Sequence, residues 1–106
     1  AAMLDPGEYE LGGRSVRLRD GAVRLADGTL AGSVLTMDEA VRNLVASGAD
    51  WGDAVLAAST APARLLRRDD LGRLEPGAPA HVTVLDDDLR VLRTLVSGRE
   101  ALSASA

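Results

Sequence analysis

The spacing of apolar positions changes twice along the chain. Val16 and Leu18 alternate with Arg17 and Arg19, and Val23 and Leu25 flank Arg24. That period of two predicts strands with one covered face. Asp20-Gly21 between the runs predicts a tight hairpin turn, whose two central residues both need positive φ. Asp27-Gly28 marks a second turn, and the first eight residues, with Asp5-Pro6-Gly7, read as a loop. From Thr36 the period becomes helical, with Met37, Ala40, Val41, Leu44 and Val45 on one face. Thr36 and Glu39 have the spacing of a capping box, and Gly48 is placed to end the helix. A second helix opens at Asp50, with Trp51, Ala54, Val55 and Ala58 as its apolar face. Thr60-Ala61-Pro62 restarts a third, since Pro is tolerated in a first turn, and Leu65 and Leu66 give it something to bury.

Beyond Leu71 strand spacing returns. Gly72 to Ala80 is rich in turn residues, Val82 to Leu85 predicts a strand, and Arg90 to Val96 predicts another. Asp86-Asp87-Asp88 between them reads as a solvated reversal. It lacks the Gly and distal Glu that would complete a calcium loop. Ser97-Gly98 predicts a further tight turn, and the tail from Ser103 is expected to fray. The predicted order is hairpin, helices, hairpin. A two-stranded ribbon by itself is marginal in water, so the chain reads as a part that needs a larger protein around it.

Composition sharpens that reading. The 106 residues are 46 % hydrophobic, yet include no Phe, one Trp and one Tyr. A core of Leu, Val and Ala buries less area per residue than an aromatic one, which again predicts marginal stability. All twelve basic residues are Arg, as codon bias in a high-GC genome would give. The net charge of −4 argues against nucleic acid and against an anionic membrane surface. No apolar run approaches a membrane span and no signal-peptide pattern opens the chain, so a cytoplasmic protein is the expectation. Without Cys there are no thiolate ligands, and His81 is the sole imidazole. A catalytic metal site needs about three protein ligands, so none is expected here, and His81 reads as a surface or strand-flanking residue.

Three stretches together resemble the carboxy-terminal third of N-acetylglucosamine-6-phosphate deacetylases, members of the amidohydrolase superfamily. Leu30-Ala31-Gly32-Ser33, followed by Leu35-Thr36-Met37 and Val41-Arg42-Asn43-Leu44-Val45, is similar to that family's L-(A/S)-G-S loop and the helix after it. Ala58-Ser59-Thr60-Ala61-Pro62-Ala63-Arg64 resembles the superfamily's A-T-x-x-P-A-x helix start. Gly72-Arg73-Leu74-Glu75-Pro76-Gly77-Ala78-Pro79-Ala80 is similar to its G-x-L-x-P-G-x-x-A-D turn, with His81 where Asp is usual. The second and third stretches indicate only an amidohydrolase, whereas the first points to the deacetylases. The resemblance runs from about Gly7 to Leu102.

The resemblance implies an α/β fold, the end of a metal-dependent (β/α)₈ barrel plus the returning strands of a small β-sandwich. Residues 1–71 would close the barrel and residues 72–106 would belong to the sandwich. The implied reaction is hydrolysis of N-acetylglucosamine 6-phosphate to glucosamine 6-phosphate and acetate. The implied cofactor is a divalent metal, zinc or iron, held by the parent enzyme and not by this segment. The acid–base Asp and the metal ligands would lie upstream of Ala1, so no catalytic residue is expected here. What remains is substrate contact through the backbone of Leu30, Ala31 and Gly32, with Ser33 as a further candidate. A Gly at position 32 permits close backbone approach to a ligand. The implied partners are the remainder of the same chain and a sugar phosphate, with a homodimer left open. Two alternatives remain, another amidohydrolase of dihydroorotase-like or deaminase-like type, and a non-catalytic interaction module. The near-absence of aromatic anchors weighs against the module.

Overall fold

The computed structural model describes residues 3–103, a mixed α/β chain that divides into two compact units between Thr36 and Met37. Ala1, Ala2 and residues 104–106 of the expected frayed tail lie outside the described residues.

The first unit is an antiparallel sheet of β1 (Gly7–Leu11), β2 (Arg14–Arg19), β3 (Ala22–Leu25) and β4 (Leu30–Ser33), in the order β1-β2-β3-β4. The β2–β3 turn forms where Asp20-Gly21 predicts it, with φ of 51° and 73°. Gly12 and Gly13 make a second turn of the same kind, at 57° and 78°, and bring β1 against β2. The expected loop over the first eight residues therefore gives way to a strand at Gly7. The expected lone hairpin is the middle of a four-stranded sheet. Gly-Gly between short strands was the available signal.

Alternation along β2 and β3 sorts the side chains by face. Val16, Leu18 and Val23 are buried, and Tyr9, Leu25, Ala31 and Val34 pack around them. The opposite face carries Arg17 directly across from Arg24. Like charges in that position repel, and Glu8 on the other side of Arg17 offsets this with an ion pair of 2.8 Å.

The second unit opens with α1 (Met37–Ala46), α2 (Trp51–Ala58) and α3 (Thr60–Leu65). Asp38 and Glu39 in the first turn of α1 suit the positive end of its dipole. Gly48, at φ 112°, closes that helix as its position predicts. Its N–H donates to the Val45 carbonyl at 3.0 Å and that of Ala49 to Leu44 at 3.2 Å, the two bonds of a Schellman cap. Asp50 caps α2, its carboxylate accepting from the Gly52 and Asp53 amides at 2.9 and 3.4 Å. Arg42 ties α1 to a later turn, donating to Asp38 at 2.8 Å and to the Leu89 carbonyl at 3.0 Å.

A second sheet follows, β5 (Val82–Leu85), β6 (Val91–Val96) and β7 (Arg99–Ser103), in that order. Ser97 and Gly98, at φ 50° and 76°, form the β6–β7 turn. The predicted second hairpin thus gains a strand, which Arg99-Glu100-Ala101-Leu102-Ser103 conceals because its apolar alternation is weak.

The predicted helix faces are covered in part, at Val41 and Ala54. Val41, Ala54 and Ala63 are buried, whereas Trp51 is 64 % exposed, Leu65 83 % and Leu66 70 %. Small side chains occupy the covered positions, and the large apolar ones face outward. Nothing among the described residues lies over them. No helix among those residues is long and apolar enough to cross a membrane.

Candidate functional site

The four residues expected to meet a substrate are brought together, but as a strand and not as a loop. Leu30, Ala31, Gly32 and Ser33 form β4, the edge of the first sheet, paired only with β3. Ser33 lies opposite Ala22 and Gly32 opposite Val23, but Leu30 lies opposite Arg24, so Ala31 has no partner in the register. Such a bulge at a sheet edge breaks the ladder and re-aims the backbone. The free edge leaves main-chain donors and acceptors for another group. Leu30 and Ser33 are exposed, while Ala31 and Gly32 are half-buried.

Gly32 does not have the positive φ that would demand glycine. A Cβ there would face inward, 3.7 Å from Val23 Cβ and 4.0 Å from Leu11 Cδ2, both ordinary contacts. The sheet curls enough for its first strand to reach its fourth. The side-chain direction at position 32 therefore belongs to the core.

Local bonds hold both ends of β4. Upstream, the Leu25 N–H donates to the Thr29 carbonyl at 2.8 Å and the Gly28 N–H to Leu25 at 2.9 Å. Asp27 accepts from the Thr29 amide at 2.9 Å, and Arg24 donates to the Gly28 carbonyl at 3.0 Å. Hydrogen bonding from Thr29 holds the Asp27 carboxyl below its ordinary range. Downstream, the Leu35 amide donates to the Ser33 hydroxyl at 2.9 Å.

The other candidates resolve as structural groups. His81 Nδ1 accepts from the Ser97 amide at 3.1 Å, which puts the proton of the neutral ring on Nε2. Asp86 accepts from the Asp88 and Arg90 amides, each at 2.9 Å, and so builds the β5–β6 reversal. Arg68 grips Asp70 with two bonds of 2.8 and 2.7 Å, the main reason that carboxyl titrates at about 2. Any stability from that surface pair is present above the ordinary carboxylate range and lost as pH falls toward 2.

A concavity of about 740 Å³ lies on the polar face of the first sheet, with Arg17, Arg19 and Arg24 in its wall. Each guanidinium is engaged, by Glu8, Asp20 and the Gly28 carbonyl respectively. Among the described residues no three His, Cys, Asp or Glu side chains converge to hold a metal ion. The residues present do not fit such a site. The unpaired edge of β4 leaves backbone donors and acceptors along Leu30–Ser33.

Comparison with known proteins bears on these features. The family described as "Amidohydrolase family" matches residues 19–101. A putative N-acetylgalactosamine-6-phosphate deacetylase of Escherichia coli (strain K12) is 44 % identical over 103 residues, 95 % of this chain and 62 % of the relative. The N-acetylglucosamine-6-phosphate deacetylase of Lysinibacillus sphaericus is 36 % identical over 88 % of this chain, which spans 24 % of that protein. The crystal structure of N-acetylglucosamine-6-phosphate deacetylase from Thermotoga maritima superposes with a TM-score of 0.82 at 36 % identity. That superposition covers 97 % of this chain and 29 % of that one. The chain therefore spans between about a quarter and two thirds of the length of these relatives.

Proposed function

The chain belongs to the amidohydrolase family, and from that premise we propose that it is the carboxy-terminal part of an N-acetylglucosamine-6-phosphate deacetylase. The observation that carries this reading is the superposition of nearly the whole chain on such an enzyme at 36 % identity. Residues 1–71 would close a (β/α)₈ barrel, and residues 72–106 would return strands to a small β-sandwich. The enzyme would be cytoplasmic, its substrate a sugar phosphate and its chief partner for this segment the rest of its own chain.

In the proposed reaction water adds across the acetamide C–N bond, releasing acetate and the amine. Amidohydrolases generally use a divalent metal, and the residues for that chemistry would lie outside this segment. What the segment supplies is binding. The edge backbone of Leu30, Ala31 and Gly32 would hydrogen-bond the sugar, with Ser33 at the end of the same strand. The bulge at Ala31 supports this assignment, because it frees main-chain groups from the ladder at that point.

A second reading changes only the sugar. The E. coli relative, at 44 % identity, is named for the galactosamine epimer. Comparing kcat/KM of the full-length enzyme on the 6-phosphates of N-acetylglucosamine and N-acetylgalactosamine decides between them.

The first expected result is that the isolated segment releases no acetate from N-acetylglucosamine 6-phosphate with zinc, iron or manganese. The full-length enzyme should turn over. Turnover by the segment above a metal-only blank overturns the reading. The second concerns Gly32→Val in the full-length enzyme. The γ-methyls would press on Val23 and Leu11 and displace the strand, and a shift of about 1 Å can cost on the order of 100-fold in rate. Bound metal should stay at the wild-type level. Leu95→Ala in β6 is the contrast, lowering the melting temperature and leaving kcat/KM of the folded enzyme near wild type. A wild-type kcat/KM for Gly32→Val would remove β4 from the substrate site.

A further inference from the structure

Four residues make a short edge strand, and β4 is paired on one side only and broken by a bulge at Ala31. Ladder bonds alone do not fix such a strand, since edge positions with interrupted pairing are free to slip or fray. Apolar packing of Ala31 and Val34 on the inner cluster resists lifting of the strand from the core. It does little to fix displacement along the strand axis. Bonds at the two ends resist that displacement, backbone bonds of Leu25 with Gly28 and Thr29 upstream and a side-chain bond at either end. Asp27 takes the Thr29 amide at 2.9 Å just before the strand, and Ser33 takes the Leu35 amide at 2.9 Å just after it. Both side chains are exposed, and neither belongs to the buried core.

We propose that Asp27 and Ser33 are positioning residues, two end-stops that hold the backbone of Ala31 and Gly32 in register for a bound ligand. This rests on the reading that β4 meets the sugar phosphate. On that reading Ser33 acts through the Leu35 amide, while the contact itself is made by the main chain of its neighbours. Side-chain bonds of this Asx and Ser type satisfy local amides without secondary structure, which suits a strand too short to hold itself.

The test uses the full-length enzyme and reads KM, kcat and melting temperature together. Asp27→Ala and Ser33→Ala should each raise KM between about five-fold, the value of one hydrogen bond, and about 100-fold, the cost of a 1 Å misplacement. The kcat should change less than KM, and the melting temperature by no more than about 2 °C. Asp27→Asn and Ser33→Thr keep an acceptor oxygen in place and should restore KM. A uniform loss of stability, with KM unchanged in the folded enzyme, overturns the proposal. So does failure of the conservative variants to rescue.

Gly32→Val, measured beside them, separates the two levels. If it raises KM while both alanine variants do not, β4 still binds the ligand and the end-stops are wrong. If none of the three changes KM, β4 does not meet the ligand and the underlying reading falls too.

Discussion

Gly72→Ala should destabilise the full-length protein by about 2–5 kcal/mol. Gly72 sits in the left-handed region at φ 73°, where a residue with a Cβ is strained by about 1–2 kcal/mol. The space is closed as well. An added Cβ would lie 2.9 Å from Thr60 Cα, 3.0 Å from Ala63 Cβ and 3.0 Å from the Ser59 carbonyl oxygen. Two of those atoms are backbone or nearly so, which leaves little to yield, and overpacking of that kind costs about 1–3 kcal/mol more. The close approach has a purpose, because the Thr60 hydroxyl donates to the Gly72 carbonyl at 2.6 Å. The start of α3 is thereby joined to the turn that leads into β5. Gly98→Ala is the control, since φ there is 76° but the nearest neighbour would be Ala80 Cβ at 3.8 Å. It carries the backbone strain without the collision. Denaturant midpoints of the two variants should differ by more than 1 kcal/mol in stability. Equal losses would show that Thr60 and Ala63 yield to the added methyl.

That contact also explains two stretches that sequence reading treats as separate signatures. Thr60 in the Ser59-Thr60-Ala61-Pro62 start and Gly72 in the Gly72-Arg73-Leu74 turn form one interaction, 12 residues apart. No periodicity announces it, because it depends on how the chain returns after α3. Where geometry is local, the sequence is explicit. Asp20-Gly21, Ser97-Gly98 and Gly48 all take the positive φ that their neighbours predict. The Leu30–Ser33 segment was legible as a place of interest but not as a strand. Alternation cannot be seen across Leu-Ala-Gly-Ser, and pairing with β3 is set by the Asp27-Gly28 turn upstream. Likewise β1 was hidden in Glu8-Tyr9-Glu10-Leu11, although Gly12-Gly13 gave the turn that makes it. The exposed helix faces were not legible at all. A helical stripe of Leu and Trp predicts burial, yet it cannot say whether the covering surface is part of the same chain.

Leu66→Ala bears on that last point, and should cost the full-length enzyme about 2–3 kcal/mol. In the segment alone Leu66 is 70 % exposed, with Leu65 at 83 % and Leu74 at 80 %. Ala63, three residues earlier in α3, is buried at 7 %. An exposed Leu truncated to Ala changes stability by less than about 0.5 kcal/mol. A covered one loses transfer energy and leaves a cavity, about 2–5 kcal/mol in all. The segment spans 29 % of the Thermotoga enzyme it superposes on, so most of the surface that such an enzyme folds against it lies elsewhere. Leu65, Leu66 and Leu74 each leave a large apolar side chain facing outward in the segment, where a covering surface of the larger enzyme would remove it from water. Leu66→Ala and Leu74→Ala should therefore lower the denaturant midpoint of the full-length enzyme. Neither should alter the isolated segment, where both side chains already face solvent. Losses below 0.5 kcal/mol for both in the full-length enzyme would mean that this face stays bare. The proposal that residues 1–106 are one part of a larger folded enzyme would then rest on the superposition alone.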